Sequence, residues 1–131
     1  MKRKRKDFLK GNSIIISEHA LKRCLIRTEV MTEEEYLVMK ELADQGDKEA
    51  IEFFKAQKKT FEIKFRRSTL SKLMPSNVEK RREVGGPKPT RCVFIAEKRG
   101  RTFIMVTAYL QGRKEDFWKI QTDSEEVKNI G

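Results

Sequence analysis

The sequence has only one histidine, His19, and two cysteines among its 131 residues. The single histidine excludes ribonuclease sites that are built from a pair of imidazoles. Cys24 and Cys92 are far apart in the chain and neither belongs to a C-x-x-C pair, so they predict no structural zinc site. No apolar run approaches the roughly 18 residues of a membrane span, and no apolar segment follows the basic N-terminus as in a secretory signal. We therefore expect a reducing, cytoplasmic setting and no membrane partner.

Acidic residues are few in the part of the chain where strands are predicted. Residues 61–101 contain only four carboxylates, whereas a metal-dependent nuclease needs a cluster of them. Phosphate-binding loops, dinucleotide fingerprints and the G-x-S-x-G nucleophile elbow are missing as well. These absences predict a protein that uses neither a metal nor another cofactor.

Basic residues are abundant instead, and they are unevenly distributed. The formal net charge is +10; residues 1–27 and 61–101 carry +7 and +8, whereas residues 28–60 carry −4. Such a balance predicts an anionic partner: nucleic acid, an anionic membrane surface or an acidic protein. Lys4 and Arg5 belong to a basic arm, residues 1–10, that we expect to be mobile. They are candidate phosphate contacts, although a solvated tail has the same composition.

Local signals predict three helices in the first half of the chain. The first follows a short apolar run, Ile14–Ile16, which is either a brief strand or an apolar lead into the helix. The second helix ends at Gly46, and the third covers Lys48–Lys58. Capping residues are placed to begin each helix: Ser17, Thr32 with Glu35, and Asp47.

From Thr60 the pattern changes to the alternation that is typical of strands. Phe61–Phe65 fits a half-buried strand, and Ser68–Asn77 fits a connection. Val78–Val84 is charged enough to be an edge strand at best. The best strands are Cys92–Ala96 and Thr102–Leu110, which form a hairpin.

This order of elements predicts an α+β fold in a single domain, residues 1–131, with N-terminal helices packed on a three- to four-stranded antiparallel sheet. Phe117 and Trp118 are expected to pack back on the domain as a terminal element. The residues from about 123 to 131 are expected to fray.

His19, Arg23 and Arg27 recur every four residues on the first predicted helix, so they would lie along one face. Guanidinium groups bind phosphate oxygens in a planar fork, and an imidazole transfers protons near neutral pH. The three residues therefore fit metal-free RNA cleavage, in which the 2′-hydroxyl of the RNA is the nucleophile. Tyr109 is a candidate for a second proton-transfer group or for orienting the phosphate. A packing, capping or solvated role fits the same pattern.

The pattern S-x-H-A-x-x-R-x-x-x-R over Ser17–Arg27 resembles the first helix of RelE-like toxin domains, within the barnase–EndoU–colicin–RelE group of metal-independent ribonucleases. Phe103–Tyr109, F-I-M-V-T-A-Y, is similar to a late strand of these domains. The chain departs from them at Thr28–Thr32, where they carry a short Gly-Ile-Ser/Thr entry, and in residues 33–59, which add a helix. The resemblance implies helices before a curved antiparallel sheet. It marks as site residues His19, Arg23, Arg27, Arg91, Thr107 and Tyr109.

Two functions follow as hypotheses. The first is a metal-independent endoribonuclease of toxin type, which would act on RNA and pair with an antitoxin. The second is a non-catalytic basic protein of a phage or bacterium, which would bind nucleic acid or an acidic host protein as an inhibitor. For the second, the two basic blocks, residues 1–27 and 61–101, would supply the contacts. Charge reversal in Lys2–Lys6 or Arg81–Arg82 would then weaken binding more than His19→Ala.

Overall fold

The computed structural model describes residues 7–112. Its helices and strands follow the order β1 (Ser13–Ile16), α1 (Glu18–Arg27), α2 (Glu33–Asp44), α3 (Lys48–Arg66), β2 (Ser68–Met74), β3 (Val78–Glu83), β4 (Cys92–Arg99) and β5 (Thr102–Leu110). The fold is therefore α+β, with three helices preceding most of the sheet, and the predicted class is confirmed.

The helices begin where the capping residues predict. The Ser17 hydroxyl accepts from the Ala20 N–H, and the Asp47 carboxylate accepts from the Ala50 N–H. Thr32 and Glu35 form the full capping box, in which each side chain accepts from the backbone N–H of the other. These bonds satisfy first-turn amides that have no partner inside a helix.

The sheet has five strands in the order β1-β5-β4-β3-β2. Four of them form an antiparallel meander, and β1 adds to it in parallel, with Ser13–Ile16 beside Thr102–Met105. The sheet is thus mixed and larger than the predicted three- to four-stranded antiparallel one. Of the two alternatives for Ile14–Ile16, the strand is the one that forms.

Helices α1 and α3 pack on one face of the sheet around an aromatic core. Phe65 of α3 lies edge-on to Phe94 of β4 and Phe103 of β5, with ring centroids 5.4 Å apart in both pairs. Cys24 and Leu25 of α1 are fully buried in the same cluster. We call this side the helix face of the sheet, and the other side the distal face.

Three predictions about residues 61–84 are wrong. Phe61–Phe65 belongs to α3, which extends past Lys58 to Arg66, because Phe61 and Phe65 are one helical turn apart and both enter the core. Ser68–Met74 is strand β2, not a connection. β3 is an interior strand between β2 and β4, not an edge.

The end of the predicted basic arm is part of the domain. Leu9 is buried, the Phe8 N–H donates to the Arg66 carbonyl at 2.9 Å, and Asp7 pairs with the Arg66 guanidinium at 3.6 Å. The rest of the arm, together with the predicted elements at Phe117–Trp118 and 123–131, lies outside the described residues. No helix within residues 7–112 is long and apolar enough to cross a membrane.

Candidate nucleic-acid interface

The residues predicted to form a ridge on α1 line one surface cavity. Ala20, Leu21, Cys24 and Leu25 turn into the core, which leaves His19, Arg23 and Arg27 on the adjoining side of the helix. The three line a cavity of about 230 Å³, together with Lys22, Ile26 and Glu33. His19 is exposed, and both arginines are half-buried.

An acidic residue of α2 also reaches this cavity. Glu33 pairs with Lys22 at 3.4 Å, so its carboxylate already has a cation beside it. Along the helix axis, His19 lies about 12 Å from Arg27 and about 6 Å from Arg23, at 1.5 Å per residue. One phosphate group can therefore contact His19 and Arg23, while Arg27 is placed to contact the next phosphate.

Arg27 joins the α1 ridge to the sheet. Its Nη1 donates to the Thr107 Oγ1 of β5 at 2.8 Å. Thr107 lies just past the last β5 residue that pairs with β1, Met105. The register shift opposite Ile95 and Ala96 makes Val106 an extra residue in β5, and such a bulge changes the direction of the following side chains. The predicted helix and strand residues meet at this contact.

Cross-strand partners place several other predicted residues on the distal face, because residues directly opposite each other share a face. Val93 lies between Tyr109 of β5 and Arg82 of β3. Ile95 likewise lies between Thr107 and Lys80. Arg91 precedes Val93 by two residues, so it extends the first row, and its Nε donates to the Gly86 carbonyl at 2.8 Å.

Lys72 and Lys80 are distal-face cations that the sequence analysis missed. They are direct partners across β2 and β3. Lys72 is exposed, and Lys80 is half-buried. Lys72 was overlooked because Ser68–Asn77 was interpreted as a connection; the alternation of Lys80 with Arg82 was the one signal that could have added Lys80.

The distal cations of β2 and β3 have no acidic partner among the described residues. No carboxylate of residues 7–112 forms an ion pair with Lys72, Lys80 or Arg82. Burial lowers the pKa of Lys80, and the charges of Arg82 and Lys72 lower it further. Among the described residues, the buried Arg82 Nε has no hydrogen-bond partner. The exposed ammonium of Lys72 and the half-buried Lys80 are groups of the kind that bind anions such as phosphate.

Arg81 does not belong to this surface, in contrast to the prediction that it contacts nucleic acid. It points to the helix face, is buried, and its Nη1 donates to the Glu79 Oε1 at 2.6 Å. Its Nε and Nη2 donate to the hydroxyl and the carbonyl of Ser68. The guanidinium also lies over the rings of Phe65 and Phe103. Arg81 is therefore a structural residue of the core.

The arm residues and the two cysteines complete the groups that the sequence singled out. Lys4 and Arg5 lie outside the described residues. Cys24 and Cys92 are free and buried, and burial raises the pKa of both thiols, that of Cys92 to about 11. Neither is therefore a ready nucleophile. Within residues 7–112, no three His, Cys, Asp or Glu side chains cluster as metal ligands would.

Comparison of the chain with protein-family models, curated proteins and solved structures found no match in any of the three. The resemblance to RelE-like domains thus stays a prediction from the sequence. The α1 ridge carries one imidazole and two guanidiniums, and its Arg27 contacts the buried Thr107 of β5. On the distal face, Lys72 is exposed, whereas Lys80 and Arg82 are half-buried.

Proposed function

We propose that this protein binds RNA through its phosphate backbone and cleaves it without a metal. The observation that carries the proposal is that His19, Arg23 and Arg27 line one surface cavity, which brings an imidazole and two guanidiniums to the same place. A strand of RNA that lies in this cavity meets His19 and Arg23. Lys80 and Arg82, which have no acidic partner among the described residues, offer further phosphate contacts on the distal face.

In this reaction the 2′-hydroxyl oxygen of the RNA attacks the adjacent phosphorus. The O2′–P bond forms, the P–O5′ bond breaks, and the products are a 2′,3′-cyclic phosphate and a 5′-hydroxyl. His19 accepts the proton of the 2′-hydroxyl, and its exposure lets it exchange that proton with water. Arg23 stabilises the extra negative charge on the oxygens of the reacting phosphate, and Arg27 binds the next phosphate of the strand.

Tyr109 is less directly placed than the sequence analysis expected. Its side chain is buried to 7% exposure and lies in the row of Val93 and Arg82. We assign Tyr109 to the orientation of the bound strand. Solvent or another general acid protonates the leaving O5′. The proposed setting is cytoplasmic, where RNA is available and the two free thiols stay reduced.

A second function has one observation in its favour. The distal cations Lys72, Lys80 and Arg82 need no contribution from His19 to bind a polyanion, so the protein would also serve as a non-catalytic nucleic-acid binder or inhibitor. Such a protein binds RNA with a steep salt dependence, but leaves it intact.

The deciding experiment incubates purified protein with total RNA in EDTA and assays for 2′,3′-cyclic phosphate ends. We expect the wild-type chain to cleave, and His19→Ala to lose on the order of 10²–10⁴-fold in rate while still binding RNA. Lys58→Ala, an exposed change on α3, is the matched control and should cleave normally. Equal cleavage by His19→Ala overturns the assignment of His19. Binding without cleavage by the wild-type chain supports the second function instead.

A further inference from the structure

A groove between α2 and α3 has no part in the surface described above. It has a volume of about 570 Å³ and is lined by Val30, Met31, Glu34, Glu35, Val38, Met39 and Phe53. Phe53 of the lining packs edge-on against Phe54, which packs edge-on against Tyr36. The size is that of a pocket which receives several side chains or a ligand.

The groove belongs to a helix with more apolar residues than the core uses. Tyr36 is the one fully buried residue that α2 contributes. Leu37 and Val38 are 55% and 60% exposed, and Val30, just before the helix, is 45% exposed. Val30 and Val38 both line the groove, and large apolar side chains that are exposed together typically mark an interaction site.

The charge around the groove is opposite to that of the chain. α2 has five acidic residues and one basic residue, a net charge of −4, in a protein of net charge +10. Among the described residues, the lining includes Glu34 and Glu35 but no cation. The one base of α2, Lys40, is held elsewhere by Glu18 and Asp44 at 3.1 and 2.9 Å. The partner that fits is therefore both apolar and basic.

A second copy of this chain does not fit these requirements. A two-fold contact through the groove would bring Glu34 and Glu35 against the same residues of the other copy, and like charges repel. Among the described residues, the helices with a net positive charge are α1 and α3, and both already bury apolar residues in the core. The described part of the chain therefore supplies no occupant, and we look for it in another protein.

We propose that the groove binds a basic amphipathic helix of a protein partner. Apolar anchors spaced three or four residues apart on that helix enter the groove between Val38 and Phe53. Its lysines or arginines meet the carboxylate of Glu34, which has no ion pair among the described residues. Met31 and Met39 are flexible enough to adapt to the anchors.

The test uses synthetic helical peptides as probes. One is a peptide of leucine and lysine with leucine at positions i, i+3, i+4 and i+7, and its counterpart has glutamate in place of every lysine. We expect the lysine peptide to bind the purified chain despite their shared positive charge, and the glutamate peptide to bind at least tenfold more weakly to the groove. Amide chemical shifts should change at Val38 and Phe53.

Variants separate the groove from general stickiness. Val38→Glu should lower the affinity for the lysine peptide by about tenfold or more. Glu34→Gln should weaken it several-fold at low salt and less at high salt. Leu73→Glu on β2 is the matched control, since Leu73 is 63% exposed and does not line the groove. This variant should bind the lysine peptide with the affinity of the wild-type chain.

Three results overturn the proposal. The first is an equal loss in Leu73→Glu and Val38→Glu, which shows non-specific apolar binding. The second is tighter binding of the glutamate peptide at the groove. The third is a wild-type dimer in sedimentation that Val38→Glu converts to a monomer, because a second copy would then be the occupant.

Discussion

The two sides of strand β3 place similar basic side chains in different environments. On the helix face, Arg81 is buried and its guanidinium is held by Glu79 and Ser68. On the distal face, Lys80 and Arg82 have no acidic partner among the described residues, and Lys80 lies directly opposite Lys72. Side chains alternate along a strand, so adjacent basic residues have different roles. The difference indicates that the inner cation supports the fold, whereas the outer cations are the ones that we propose to bind an anion.

The largest expected effect comes from breaking the inner pair. Arg81→Leu should lower the free energy of unfolding by about 3–5 kcal/mol, because it leaves the Glu79 carboxylate buried without its cation. Denaturation in urea, followed by circular dichroism, measures this loss. The double variant Glu79→Leu, Arg81→Leu should recover most of the stability. If Arg82→Leu destabilises the chain as much as Arg81→Leu does, the two faces do not differ as described.

The next effect concerns the outer cations and RNA. The double variant Lys80→Gln, Arg82→Gln should lower the affinity for single-stranded RNA by about tenfold or more, with little loss of stability. Two lost phosphate contacts should also reduce the slope of log K against log salt by about 1.4. Fluorescence anisotropy at several salt concentrations measures both quantities.

A matched charge change on α3 provides the control for that measurement. Lys58→Gln with Lys59→Gln removes the same two charges from exposed positions of α3. We expect a much smaller loss of affinity from this pair. An equal loss would mean that RNA responds to net charge alone, without a site on the distal face.

The smallest expected effect is a gain in stability when Lys80 loses its charge. Lys80→Gln should raise the free energy of unfolding by about 0.5 kcal/mol at low salt, since it removes a like-charge pair across two strands. The folded state lowers the pKa of Lys80, so the folded chain disfavours the protonated form. The gain should be complete below that lowered pKa and vanish as the pH rises towards the ordinary lysine value.

Thermal unfolding at pH 7 and near pH 11 tests this sign. The variant should be the more stable protein at pH 7, and the two chains should converge at the higher pH. A variant that is less stable at both values would show that Lys80 supports the fold. If Lys80→Gln is more stable at pH 7 and also binds RNA more weakly, Lys80 lowers the stability of the fold while it contributes to binding.

The helix starts were predictable because their signals are local. A Ser, Thr or Asp side chain can cap a helix with bonds that span only three residues, as at Ser17, Thr32 and Asp47. The hairpin of β4 and β5 was predictable for the same reason, since its strands are adjacent in the chain and the turn contains Gly100. The α1 ridge also needed only the helical repeat, and its three residues do line one cavity.

The error at Phe61–Phe65 has a simple physical cause. A spacing of four residues fits both the two-residue repeat of a strand and one turn of a helix. Ile63 distinguishes the two structures, because a strand would place it on the same face as Phe61 and Phe65, whereas a helix turns it away from them. It is 38% exposed in α3, whereas Phe61 and Phe65 are buried. The edge assignment of β3 failed because Glu79 and Arg81 neutralise each other inside the molecule, which made a charged strand compatible with the interior of the sheet.

The sequence alone determined the α+β class, the caps, the late hairpin, and the uneven charge that leads to the proposed anionic partner, because each depends on composition or on neighbours within a few residues. Tertiary structure decided which side of the sheet each cation faces. It set the parallel pairing of β1 with β5 and the contact of Arg27 with Thr107. It also placed the acidic groove between α2 and α3. These features join residues that are far apart in the chain, and no local pattern specifies how distant segments pack.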